Sequence, residues 1–248
     1  MKGFILYEGP SELDGKPIVC IVTDPDQSRL NAKTQRVIQT YIFRADVSPL
    51  DALKGGEDIS VCGDCMHRPG PDGRSCYVQL WGGPRNVWLA YSEGKKYKWI
   101  SPEDSWLLLD KEIVRLGTYG DPAAVPIVVW RKVLRSAKAV IGYTHQWRAP
   151  KFFQLQQWCM ASCDSIGDYN AAKMTGWRTF RVRSAQSDRK LSSEVVCPAS
   201  KEAGYKSNCA ECRACGGHGA KANCDIVIAA HGDKGKVNAF KRKALEEA

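Results

Sequence analysis

From Glu112 onward the chain repeats one theme, an apolar run of strand length, a turn, then a helix-forming stretch, and that alternation narrows the folds open to it. EIVRLG runs into the turn TYGDP and on to PAAVPIVVWRKVLRSAK. AVIGY and LQQWCMAS follow, IGDYNAAKM leads into WRTFRVRS, and EVVCPAS and DIVIAAHG come last. Parallel neighbours in a sheet need a crossover connection, which the intervening helices supply. The pattern predicts an α/β fold, a compact or degenerate TIM-type (β/α) barrel, with an open α/β sheet as the alternative. Asp121 in the N-cap position, Pro122 at the first helical position and a basic far end predict a helix over 122–138. IGDYNAAKM reads as a short helix stopped by Gly176.

The first hundred residues read as β-rich. PIVCIVT and VIQTYIFR are β-branched and aromatic runs joined by a long polar loop, which predicts a hairpin; CYVQLW and NVWLAY add two candidate strands. The organisation expected is a single domain over 1–248: a β-rich part over 1–100 with a first cysteine cluster, a β/α part over 111–233 carrying a zinc-binding insertion at 197–231, and a terminal helix over 234–248. A hydrophobic fraction of 44% with eight tryptophans is ample for a core. No stretch approaches the length that spans a bilayer and no export signal opens the chain, so the expectation is a cytoplasmic protein without a membrane partner.

Seven of the eleven cysteines fall into two tight groups. In a reducing compartment, an odd number of cysteines in short motifs points to metal ligands before disulfides. Two residues between cysteines let a tight turn aim both thiolates at one cation. Cys197, Cys209, Cys212 and Cys215 suffice for a tetrahedral zinc shell, and three of them with His231 would serve equally. Cys62, Cys65 and Cys76 with His67 form a second candidate site. An iron–sulfur cluster is the alternative cofactor, although the spacing differs from the ferredoxin patterns. Cys20, Cys159, Cys163 and Cys224 read as core thiols.

In α/β folds reactive groups gather just past the carboxyl ends of parallel strands. Tyr119, Gly120 and Asp121, His145 and Gln146, and Asp164 occupy such places, and Asp64 lies within the first cysteine cluster. Carboxylates and amides beside aromatic faces suit recognition of a planar heterocycle. Asp121 and Asp164 serve equally as helix caps, and His145 as a structural histidine. The chain has no GxGxxG, Walker, GxSxG or HExxH motif, which weighs against nucleotide-dependent kinases, dehydrogenases and serine hydrolases. A net charge of +9 favours a polyanionic partner. Arg178, Arg181 and Arg183, then Arg131, Lys132 and Arg135, then Lys241 to Lys243 are candidate tracks for it, or simply solvated faces.

YEGPS, VCGDC, YGDPAAVP, GYTHQW, GWRTFRV and CPASKEAG with its cysteine trio resemble a family of phage-encoded proteins similar to the DpdA-type DNA transglycosylases, relatives of the tRNA-guanine transglycosylases. The resemblance to the phage group covers most of the chain; the link to the tRNA enzymes rests on three cysteines, a histidine and the α/β alternation. It implies a barrel with a zinc subdomain, residence in a host cytoplasm, and exchange of a guanine in DNA for a small 7-deazaguanine base. A carboxylate would attack the anomeric carbon, and the nucleotide would first be turned out of the stack. Cys209, Cys212, Cys215 and His231 resemble that family's zinc ligands. Its nucleophilic aspartate has no counterpart in EVVCPAS, so the resemblance leaves Asp121, Asp164 and Asp64 as candidates in that order, with Gly120, His145, Gln146 and Tyr119 near the base. A non-catalytic nucleic-acid-binding protein and an iron–sulfur enzyme are the alternatives.

Overall fold

The computed structural model describes residues 3–23, 33–94 and 96–246. They form an α/β protein with one mixed and one parallel sheet. The mixed sheet contains β1 (Gly3–Pro10), β2 (Pro17–Thr23), β3 (Ile38–Arg44), β4 (Lys98–Trp99), β5 (Ile113–Tyr119) and β6 (Ala139–Ile141), in the order β4-β1-β2-β3-β5-β6. The expected hairpin is the antiparallel pair β2 and β3, with Ile18 opposite Arg44 and Thr23 opposite Gln39. From β3 to β5 and β6 the pairing turns parallel.

The second sheet is parallel throughout: β7 (Tyr143–Thr144), β8 (Met160–Cys163), β9 (Thr179–Arg183), β10 (Glu194–Val196) and β11 (Asp225–Ala229), in the order β10-β11-β9-β8-β7. Only Gly142 separates β6 from β7, so one run of chain passes from the first sheet to the second. Its N–H donates to the Cys215 carbonyl and its carbonyl accepts from Met160 N–H, both at 3.0 Å. A Cβ there would lie 2.9 Å from Cys159 Sγ and 3.1 Å from Leu116 Cβ, so a larger residue at the crossing would have to displace those side chains.

The helices are α1 (Pro49–Gly55), α2 (Ile59–Cys62), α3 (Gly83–Ser92), α4 (Pro102–Leu109), α5 (Ile127–Val133), α6 (Ile166–Met174), α7 (Cys209–Cys212) and α8 (Lys234–Glu246). Helix α6 matches its expected bounds, with the Ser165 side chain accepting Asp168 N–H at its start and Gly176 in the left-handed region beyond its end. The expected terminal helix is α8; 247–248 lie outside the described residues.

Four expectations are corrected. NVWLAY is part of α3, not a strand: Pro84 sits in the first turn where no N–H is needed, and Pro84, Val87 and Ala90 bury one helical stripe. CYVQLW joins no ladder, because its backbone bonds locally. Cys76 N–H donates to His67 O at 3.0 Å, and the Arg74 guanidinium donates to Val78 O at 2.9 Å. The single helix over 122–138 is a 3-10 turn, Pro122–Ala124, then a break, then α5. Pro126 has no N–H and holds Val125 extended, which ends the first segment. LQQ of LQQWCMAS closes a 3-10 stretch, Pro150–Gln157, and β8 starts only at Met160.

The basic track expected on β9 faces inward. Arg178, Arg181 and Arg183 are all buried. Arg181 grips both oxygens of Glu194 at 2.7 Å, Arg183 pairs with Glu202, and Arg178 donates to backbone carbonyls of the cysteine-rich segment. Buried guanidinium groups cannot go without partners, so two are paired with glutamates and the third is hydrogen-bonded to carbonyls. Lys243 of the C-terminal cluster is also buried, while Arg131, Lys132 and Arg135 are exposed.

Candidate metal centre

Alternate side chains of the parallel strands point the same way. Arg115 and Tyr119 of β5, Ile141 of β6, Tyr143 of β7, Ser162 of β8, Phe180 and Val182 of β9 and Ile228 of β11 line one cavity of about 190 Å³. Both cysteine groups open onto it: Cys62, Cys65 and Cys76 from the first, Cys197, Cys209 and Cys215 from the second.

At the carboxyl ends of β7 and β8 the fold assembles a group that spacing did not predict. His67 Nε2 lies 3.0 Å from Asp164 Oδ1, and His145 Nε2 lies 3.2 Å from Asp164 Oδ2. Donor atoms of these three residues all lie within 4.8 Å of one another. His145 Nε2 is buried, yet its approach to the carboxylate is too poorly aligned for a hydrogen bond. The ring of His67 is oriented by Ser75 Oγ, 2.8 Å from its Nδ1, and Phe240 of α8 stacks on it at 5.6 Å. Lys243 of the same helix donates to the carbonyls of Met66 and Arg68, each at 2.6 Å, so α8 fastens the cysteine loop. Cys65 lies within electrostatic reach of both histidines.

The electrostatics are those of a strongly coupled buried group. Burial alone would push the Asp164 carboxyl up, but His67 and His145 on either side hold it far below the usual carboxylate range. Burial likewise opposes the two imidazolium ions, and Cys65 and Asp164 more than offset it, raising both histidines, His145 the further. For Cys65, burial favours the thiol and His145 outweighs it, lowering its pKa.

Each predicted carboxylate has its own setting. Asp121 caps the short turn after β5: Oδ1 accepts from Ala123 N–H at 2.9 Å and Thr144 Oγ1 at 2.8 Å, and Oδ2 accepts from His145 N–H at 2.8 Å. It lines the cavity, and burial raises its carboxyl. Asp64 is exposed and accepts from Gln146 Nε2 at 2.7 Å. Tyr119 and Gly120 both line the cavity. At Gly120 (φ +83°) a Cβ would sit 2.8 Å from both Ile42 Cβ and Ile42 O.

In the second group, α7 places Cys209 and Cys212 one turn apart on the same face, capped by Asn208, and brings them to Cys197 and Cys215. Burial raises the Cys197 and Cys209 thiols and lifts Cys215 to about 12, with neighbouring cysteine charges adding to each. Thiols crowded in this way ionise together only if a cation compensates them. His231 is placed differently: its ring packs on Tyr77 at 5.2 Å and its Nδ1 meets the Ala229 carbonyl at 3.1 Å. All eleven cysteines are free. Among the described residues, the donors of His67, His145 and Asp164 are the group close enough together to hold a metal ion, and the free cysteines could supply further ligands.

Spacing linked His67 to its neighbouring cysteines but not to Asp164, which stands nearly a hundred residues away. Ser75, Phe240 and Arg115 escaped notice too; of these only Arg115 carried a signal, a cation in the middle of an apolar strand. Among the described residues no helix is long and apolar enough to cross a membrane. Comparison with family models, curated proteins and solved structures finds no match to this chain.

Proposed function

We propose that the chain is a metal-dependent enzyme whose centre is a divalent cation of the zinc class held by His67, His145 and Asp164, with Cys65 beside it. The observation that carries this is the buried His145 Nε2, 3.2 Å from a carboxylate oxygen yet without an aligned hydrogen bond, in a group of converging donors. Three protein donors with a further position open is the catalytic rather than the structural zinc pattern. Metal bound there would polarise a substrate oxygen or lower the pKa of a water. Ser75 fixes the His67 ring and Asp121 fixes the His145 backbone, the outer support that ligating histidines need. Cys197, Cys209, Cys212 and Cys215 form a second, closed site that ties the insertion to the sheets. Inward faces of successive parallel strands sharing one cavity support a degenerate barrel.

Anaerobic metal analysis with an ultraviolet–visible spectrum tests this on the full chain. Zinc at both sites and a colourless protein are expected. Visible charge-transfer absorption with iron and sulfide would assign the quartet to an iron–sulfur cluster instead, and a chain that takes up no metal at the histidines would remove the proposal.

Base exchange on DNA is a second reading, favoured by one observation: Asp121 is a buried carboxylate on the same cavity wall as the aromatic pair Tyr143 and Phe180. It predicts release of labelled guanine from DNA when a 7-deazaguanine base is added, lost in Asp121→Asn. Absence of exchange by the metal-loaded chain would dismiss it.

A further inference from the structure

The cavity holds a cation that the metal centre does not use. Arg115 projects into it from β5. Its guanidinium donates to a neutral group, the Tyr77 hydroxyl at 3.4 Å, the Cys209 thiol lies within electrostatic reach, and among the described residues no carboxylate pairs with it. A guanidinium remains charged at any pH a protein survives, and inside a protein an unpaired one is costly. Arg181 and Arg183, the buried arginines of β9, each have a glutamate, whereas half-buried Arg115 has none among the described residues. Lys236 lines the same cavity and has only an exposed partner, Asp233, at 3.6 Å. Asp121, the one carboxylate on the wall, has its oxygens already engaged by Ala123, Thr144 and His145. Beside Arg115 the wall is aromatic, with the rings of Tyr143 and Phe180 4.4 Å apart and tilted by 48°.

We propose that Arg115 anchors the oxyanion of the substrate, a small molecule with a carboxylate or phosphate group whose planar body lies against Tyr143 and Phe180. The planar fork of a guanidinium takes either anion through paired hydrogen bonds, and no carboxylate among the described residues competes for it. This rests on the reading of the cavity as the active site, and adds the charge of what enters it.

Calorimetric titration of the zinc-loaded full chain with benzoate, phenyl phosphate and the uncharged benzamide tests it, with metal content measured on each sample. At least one anion is expected to bind roughly tenfold or more tightly than benzamide, and Arg115→Gln to weaken that anion by roughly 10- to 100-fold. Arg115→Lys should recover part of the loss, which separates lost charge from lost fold. Preference for benzoate identifies a carboxylate and preference for phenyl phosphate a phosphate. Benzamide binding as tightly as both anions, or Arg115→Gln binding them like the parent chain, overturns the proposal. Anion binding that depends on Arg115 in a chain without metal at His67 and His145 would keep this anchor and discard the metal centre.

Discussion

Asp164→Ala should strip metal from the His67 and His145 pair while leaving the cysteine quartet loaded. Both histidines meet this carboxylate, one at each oxygen, so its loss removes a proposed ligand and the charge that draws a cation into a buried pocket. Elemental analysis before and after dialysis should show the variant holding only the quartet's metal. Ser75→Ala, which merely frees the His67 ring, should weaken the same site by about 10- to 100-fold. In the metal-free chain Asp164→Ala should cost about 1–3 kcal/mol in a denaturant titration, less than a stranded lysine would, because imidazoles can release their protons. The pH dependence has a definite sign. Asp164 lies below its unfolded pKa, so its contribution is present above the ordinary carboxylate range and fades on acidification; His67 and His145 lie above theirs, so their contribution fades as pH rises through the raised values. The stability advantage of the parent over Asp164→Ala should therefore peak between those limits. A variant that keeps its full metal content would refute the assignment of Asp164 as ligand.

The parts of this fold that sequence made legible are those in which a local rule acts alone. Helix α6 has a serine cap, nine residues of tolerant composition and a glycine stop, and β2 is a β-branched run between turn residues. Where two rules competed, the expectation failed. Asp121 and Pro122 do start a helical turn, but Pro126 ends it, and the apolar pattern of 122–138 hid that interruption. NVWLAY has strand-like residues, but Pro84 and the spacing of Val87 and Ala90 govern it. At the site, short-range spacing put cysteines two residues apart beside one another, since such residues in a tight turn remain neighbours in space. It could not reveal that His67 and Asp164 meet, because that contact depends on how loops after α2 and β8 are brought to one rim. The basic residues in and beside β9 misled for the same reason: composition gives charge, and only the folded chain shows Glu194 and Glu202 beside Arg181 and Arg183.

Arg178→Met should be the most damaging substitution away from the His67, His145 and Asp164 group. Its Nη1 donates to the carbonyls of Gly216 at 2.6 Å and Gly217 at 3.1 Å, and its Nη2 to those of Ala214 at 3.0 Å and Cys224 at 2.5 Å. One guanidinium thus satisfies the backbone of the turn that follows Cys215 and the start of β11, a segment with no ladder of its own between α7 and that strand. Methionine fills the volume but donates nothing, leaving buried carbonyls without partners. At about 1–3 kcal/mol for each such group, and allowing that the segment relaxes toward water, a loss of about 3–5 kcal/mol is expected. Arg178→Lys should rescue only part of this, since an ammonium cannot reproduce the fork that spans carbonyls on two sides. The functional consequence follows from position. Gly142 N–H bonds to the Cys215 carbonyl, so loosening this segment also loosens the crossing between the sheets. Zinc should then leave the quartet faster in a chelator-competition assay, while metal at the His67, His145 and Asp164 group exchanges at its parental rate. If Arg178→Met melts with the parent chain and surrenders zinc no faster, the guanidinium is not what holds the cysteine segment in place.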